Sequence, residues 1–179
     1  MILKLGSHTI TYPKVEIEPG ITLILGPSGV GKTSLLRAIH GILSGQIQGR
    51  LPLEVDKTSL MPQQNTWVPY MTMSEHLSLT GGSSTSSLDA LGLLGLQNKF
   101  PHELSVGQLQ RFSLLNCLNS NAQAYLLDEP SSALDTDLAE RSFQVLRAHM
   151  EAHPDRFYLV VTHDDRMKTA FPTSKRITL

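Results

Sequence analysis

Gly26-Pro27-Ser28-Gly29-Val30-Gly31-Lys32-Thr33 has the spacing G-x-x-x-x-G-K-[ST], and each part of that spacing suits a polyphosphate. Gly26, Gly29 and Gly31 can take backbone angles that side chains forbid, so successive N–H groups of the loop, in which Pro27, Ser28 and Val30 are the intervening residues, converge on one anion. Lys32 neutralises charge on the β- and γ-phosphates, and the Thr33 hydroxyl can ligate Mg²⁺. A helix starting near Lys32 adds its positive N-terminal end. The competing reading is a glycine-rich turn that binds nothing. A strand before it and a helix after it weigh against that reading.

Two carboxylates stand together far downstream in Leu126-Leu127-Asp128-Glu129-Pro130. They close an apolar run that reads as a buried strand, where a carboxylate is costly unless something needs it. Asp128 suits Mg²⁺ held through its water shell. Glu129, expected on the other side of the strand end, suits the polarising of a water that attacks the γ-phosphate. Taken alone, an Asp-Glu pair is more often a surface turn or helix cap; the glycine loop upstream reverses that weighting. His163, in Val161-Thr162-His163-Asp164, follows another apolar run. It falls at the carboxyl edge of parallel strands, where nucleotides bind, and can donate a hydrogen bond to a γ-phosphate.

The elements that must position these residues are legible around them. Ile21 to Leu25 is a short β-rich run between Gly20 and Gly26, and Thr33 to His40 has helical character ending at Gly41. Tyr125-Leu126-Leu127 and Phe157 to Val161 repeat the buried-strand pattern. Asp137 to Met150 reads as a helix with Leu138, Phe143, Val145 and Leu146 as its apolar residues. Alternating strands and helices predict an α/β fold with a mostly parallel sheet covered on both faces. Leu3, Leu5, Ile10, Tyr12, Val15 and Ile17 recur at a spacing of about two, which predicts a small N-terminal antiparallel β region. Residues 71–117 are rich in helix formers, interrupted by Gly81 to Ser87, which reads as a solvated loop. No internal repeat is visible.

At 179 residues the chain has the length of one domain, 1–179, with a substantial core. Its formal net charge of -1 argues against a nucleic-acid partner. The single cysteine, Cys117, precludes an internal disulfide and sits among leucines, as a buried structural thiol does. Seven histidines are scattered without metal-ligand spacing. No run approaches the roughly 18 apolar residues of a membrane helix, and the N-terminus lacks the apolar stretch of a signal peptide. We therefore expect a cytoplasmic chain that meets a membrane only through a partner.

Leu104-Ser105-Val106-Gly107-Gln108, followed by Gln110-Arg111, resembles the signature sequence of ABC transporter ATP-binding subunits. Pro101-His102-Glu103 precedes it as in family members, and Ser132-Ala133-Leu134-Asp135 matches the family's D-loop. Gln63, six residues before Pro69, has Q-loop spacing. The resemblance spans nearly the whole chain and implies a P-loop NTPase fold with a helical subdomain, about 71–117, inserted in its core. It implies ATP and Mg²⁺ as ligands, with Thr33, Gln63 and Asp128 toward the metal and Gln63, Glu129 and His163 in hydrolysis. Ser105, Gly107 and Gln108 would then face the ATP of an opposing subunit in a head-to-tail homodimer or heterodimer. Val106 replaces the first signature glycine, leaving Gly107 to approach that phosphate. Asn116 stands where a basic residue is usual. The family stacks an aromatic residue on adenine; Tyr12 is the nearest candidate, with a core tyrosine as the alternative.

The resemblance implies an ATPase subunit that powers solute transport through integral membrane permease subunits at the inner face of the cell membrane. Trp67 and Tyr70 lie in the segment that receives a cytoplasmic permease helix in the family, with core packing as the alternative for Trp67. The short stretch after His163 leads us to expect no fused regulatory or membrane domain. Three alternatives stand beside transport: a soluble ABC ATPase acting on DNA or ribosomes, a small-molecule kinase, and a catalytically silent subunit. The signature, Asp128-Glu129 and His163 weigh against the last two.

Overall fold

The computed structural model describes residues 1–5, 8–13, 16–43, 46–49, 53, 56–64 and 66–179. Val15, read as part of the N-terminal alternation, lies outside them. Two sheets form. Strands β1 (Ile2–Leu5), β2 (His8–Thr11) and β4 (Gln46–Gln48) make a small antiparallel sheet in the order β2-β1-β4. The larger sheet takes β3 (Gly20–Leu25), β5 (Thr58–Met61), β6 (Ala124–Asp128), β7 (Phe157–Val161) and β8 (Lys175–Thr178) in the order β5-β6-β7-β3-β8. Every neighbouring pair in it is parallel.

The central strands are mostly apolar, Thr22 and Asp128 excepted, because both their faces are covered. Successive side chains of a strand point to opposite faces, and the core divides accordingly. Leu23, Leu127 and Val160 join the cluster built on Phe112, Phe143 and Leu146. Ile24, Leu126 and Leu159 join the other, with Leu35, Leu36 and Ile39 of α1 (Lys32–His40) and Leu3 and Tyr12 of the N-terminal region. Phe112 lies in α4 (Val106–Asn119), whereas Phe143 and Leu146 lie in α5 (Thr136–Ala152). Asp135 caps α5 by accepting from Leu138 N at 2.9 Å.

Between β5 and β6 the chain is helical: α2 (Met73–Ser78), α3 (Thr85–Ala90), a 3-10 turn at Pro101–Glu103, then α4. The Gly81 to Ser87 tract is therefore not wholly loop. Ser84 caps α3 by accepting from Ser87 N at 3.1 Å, so the serines read as solvated loop start a helix. Strands β4, β5 and β8 and helix α6 (Asp165–Ala170) have weak sequence patterns and escape the reading above. Of β8 only Ile177 is buried; Lys175, Arg176 and Thr178 are exposed, as at a sheet edge.

Candidate phosphate-binding site

The loop from Gly26 to Gly31 joins the end of β3 to the start of α1. Gly31 stands at φ 105°, and a β-carbon there would lie 2.9 Å from both Ile10 Cδ1 and Tyr12 Oη, so angle and space both require glycine. Among the described residues no side chain caps α1, which leaves its first N–H groups facing the loop.

The loop opens onto a cavity of about 330 Å³ at the carboxyl ends of β3, β6 and β7. Ser28, Gly29, Gly31, Lys32 and Thr33 line it from the loop, Gln63 from beyond β5, and Asp128, Glu129 and His163 from the neighbouring strand ends. Residues remote in sequence thus share one enclosure. Gly26 and Pro27 act through their carbonyls, each accepting from Lys32 Nζ at 2.9 Å. Val30 packs beside Gly26 and is not part of the lining.

Asp128 is 2% exposed and its Oδ1 has no hydrogen-bond partner among the described residues. Burial raises its pKa above the ordinary carboxylate value, opposed by hydrogen bonding from Thr33 and by the charges of Arg37 and Lys32. An orphaned buried carboxylate oxygen beside a hydroxyl fits a hard divalent cation with a water shell. The donor set therefore suits Mg²⁺.

Glu129 corrects one expectation. Strand alternation would send it to the face opposite Asp128, yet both carboxylates line the same cavity. The backbone turns left-handed at Glu129, φ 54°, which breaks the alternation. Its Oε2 accepts from His163 N at 3.2 Å, and Oε1 lies 3.7 Å from His163 Nε2. Burial raises the Glu129 pKa as well, a displacement opposed by the hydrogen bond from the His163 backbone and by the charge of Lys32.

Ser105, Gly107 and Gln108 do not line this cavity. They open α4, where Ser105 Oγ accepts from Gln108 N at 3.2 Å and Gln108 Oε1 accepts from Ser105 N at 2.8 Å. This capping box uses the Ser105 hydroxyl as an acceptor and leaves its O–H free to donate. A β-carbon on Gly107 would lie 2.9 Å from Ala133 O, so this glycine lets α4 approach the loop after Glu129.

Tyr12 is corrected. It is 5% exposed, packed with Ile24 and Leu35, and its hydroxyl donates to Gly31 O at 2.9 Å. A ring so enclosed has no free face for a base. Trp67 packs against the core with its ring 5.0 Å from that of His76, whereas Tyr70 is 80% exposed. Cys117 is buried and its thiol pKa is pushed up to about 12, as a structural thiol requires. Asn116 Oδ1 accepts from Thr80 Oγ1 at 2.7 Å.

Sequence reasoning assigned nothing to two further groups. Ser131 Oγ donates to Asp164 Oδ2 at 2.6 Å, and Arg166 pairs with Asp164 at 2.8 Å and donates to Leu134 O at 3.2 Å. These bonds tie the segment after His163 to the segment after Glu129. Gln110 makes a second tie, from α4 to the segment Glu129 to Ala133. The adjacency of Asp164 to His163 and of Gln110 to the Ser105 motif was the available signal.

A parallel sheet with a glycine loop running into a helix, and paired carboxylates on the adjoining strand, defines a P-loop NTPase. The profile of the ABC transporter family matches residues 13–132. The chain belongs to that family and is an ATPase. It is 31% identical to "Putative hemin import ATP-binding protein HrtA" of Staphylococcus aureus (strain Newman), over 85% of this chain and 80% of that protein. Among solved structures, archaeal ribosome recycling factor aABCE1, in complex with ribosomal stalk protein aP1, matches with a TM-score of 0.83 and 31% identity. That match covers 94% of this chain but 34% of the other, so this chain spans about a third of it. The ATP-binding cassette MJ0796 bound to ADP and Pi shares the fold, with a TM-score of 0.74 and 22% identity over 99% of this chain and 90% of that one.

Proposed function

We propose that this chain hydrolyses ATP to power solute transport through separate membrane subunits, by closure of a head-to-tail dimer. The observation that carries the reading is the convergence of Lys32, Thr33, Gln63, Asp128, Glu129 and His163 on one cavity. In this reading 1–179 act as one ATPase domain with a helical subdomain at about 71–117. The loop N–H groups and Lys32 hold the β- and γ-phosphates. Thr33, Asp128 and Gln63 hold Mg²⁺, which supplies charge neutralisation on the phosphate oxygens when bound.

Glu129 accepts a proton from the attacking water, a role its raised pKa favours. His163, held by the carboxylate of Glu129 through its backbone N–H, steadies the γ-phosphate end of the site. Ser105 and Gly107, outside the chain's own cavity, serve the nucleotide of the opposing subunit. Among the described residues no helix is long and apolar enough to cross a membrane; in this reading the membrane-spanning part is supplied by the partner subunits. Exposed Tyr70 is a candidate anchor for it.

The test is affinity isolation from detergent-solubilised membranes, followed by ATPase assays with and without the captured partner. Transport predicts a multi-span membrane protein that stimulates hydrolysis; hemin, named for the staphylococcal relative, is the first cargo to assay. The likeness to the ribosome recycling factor favours one second reading, a soluble ATPase acting on ribosomes. Nucleotide-dependent cosedimentation with ribosomes, without a membrane partner, would select that reading instead.

A further inference from the structure

The left-handed turn that carries Glu129 is held by the helix that begins at Ser105. Gln110 lies in α4 and is almost fully buried. Its Nε2 donates to Glu129 O at 2.8 Å and to Ser132 Oγ at 3.0 Å, while its Oε1 accepts from Ala133 N at 2.9 Å. Ser132 Oγ makes a second bond to Glu129 O at 3.1 Å. The side-chain amide therefore spends both N–H groups and its carbonyl on the segment Glu129 to Ala133.

We infer that Gln110 is a positioning residue for hydrolysis, fixing the backbone turn that aims the Glu129 carboxylate into the cavity. A residue with a β-carbon takes φ 54° only where its surroundings impose it. Here the imposed contact is at the Glu129 carbonyl, which Gln110 reaches from within the protein. With Gln110 removed only Ser132 still holds that carbonyl, and as the turn relaxes toward extended geometry strand alternation carries the carboxylate away from Asp128 and His163. The same α4 presents Ser105 at its start and abuts Ala133 through Gly107. A displacement of the Ser105 end therefore reaches Glu129 through one rigid element. The inference rests on Glu129 acting as the base.

Gln110→Met keeps length and bulk but removes all three bonds. Binding of a fluorescent ATP analogue is expected to stay within about twofold, with KM nearly unchanged and kcat lower by roughly 10- to 100-fold, the cost of a small misplacement of a reacting group. In the Glu129→Gln background the same substitution adds no further loss, because the group it positions is already gone. Ser132→Ala, at an exposed residue, should lower kcat in the same direction by less, and it decides the matter if Gln110→Met does not fold. Unchanged kcat in Gln110→Met, or in Ser132→Ala where that variant decides, overturns the inference. So does a loss that multiplies with that of Glu129→Gln, which marks a merely structural residue. Near-normal hydrolysis by Glu129→Gln removes the base reading and this inference with it. An inactive Glu129→Gln beside a fully active Gln110→Met removes this inference alone.

Discussion

Lys32 Nζ lies 3.0 Å from His163 Nε2, joining the first turn of α1 to the segment after β7. An ammonium only donates, so Nε2 is the acceptor and the ring proton is on Nδ1. With the carbonyls of Gly26 and Pro27, this bond uses the three protons of Lys32. A phosphate oxygen that competes for one of them frees His163 Nε2. The Lys32 ammonium and the His163 ring are in this way mutually dependent.

Lys32→Ala should weaken ATP binding by about 10- to 100-fold, the worth of hydrogen bonds to a charged group. The substitution removes the cation at the phosphates and the donor that orients His163. Equilibrium titration with ATP checks it; unchanged affinity would contradict the cradle.

Glu129→Gln should bind ATP normally and lose roughly 10²- to 10⁴-fold in turnover, the usual contribution of a general base. In the unaltered enzyme the base must be ionised, and burial raises its pKa. The acid limb of kcat should therefore fall above the ordinary glutamate range, with activity lost as pH drops through the raised value. A pH profile flat down to the ordinary glutamate value would assign the proton to another group.

The carboxyl edge of the parallel sheet was readable because β3, β6 and β7 are apolar on both faces and end in the residues that do chemistry. Edge elements were not. Thr58-Ser59-Leu60-Met61 and Lys175-Arg176-Ile177-Thr178 mix polar and apolar residues because one side of an edge strand faces solvent. Within the site, residue identities were readable and two geometries were not. The carboxylates share a face only because Glu129 departs from strand geometry, a backbone property that periodicity does not encode. Tyr12 became a core residue because Gly31 lacks a side chain and admits its hydroxyl. Gln110 had no legible role, since its three partners come from a segment brought to it by the fold.

Stability should fall on acidification through His149. Its ring stacks on His153 at 4.6 Å, its Nδ1 lies 2.8 Å from Tyr158 Oη, and Tyr125, Arg156 and the Leu118 carbonyl complete its surroundings. Burial first, and then the charge of His153, lower its pKa from 6.5 to about 4. The folded state thus binds fewer protons than the unfolded chain between those values, and stability rises with pH across that window. The contribution is whole above the unfolded value and is lost as pH falls toward the folded one. Its slope is at most about 1.4 kcal/mol per pH unit, reduced by solvent reaching the ring. Melting temperatures at pH 7 and pH 4.5 for the protein and for His149→Gln check this, the variant being expected to lose less. Parallel losses in both would assign the acid sensitivity elsewhere.

Ser105→Arg should leave ATP binding by each subunit intact yet block hydrolysis. Ser105 is exposed, lies outside its own chain's cavity, and caps α4 with a hydroxyl that can still donate. Its neighbour Val106 is 71% exposed, an apolar side chain at the mouth of a surface we assign to the opposing subunit. An arginine there injures the partner's site, not its own. Mixing Ser105→Arg with Lys32→Ala protein makes the argument sharp. In the proposed head-to-tail dimer both substitutions fall on one composite site, with Ser105 of one subunit set against the nucleotide assigned to Lys32 of the other. The second site keeps an intact Lys32 and an intact Ser105. Hydrolysis by the mixture should therefore exceed that of either protein alone, provided one intact site turns over. Full activity of Ser105→Arg as a dilute, demonstrably monomeric protein would refute the shared site.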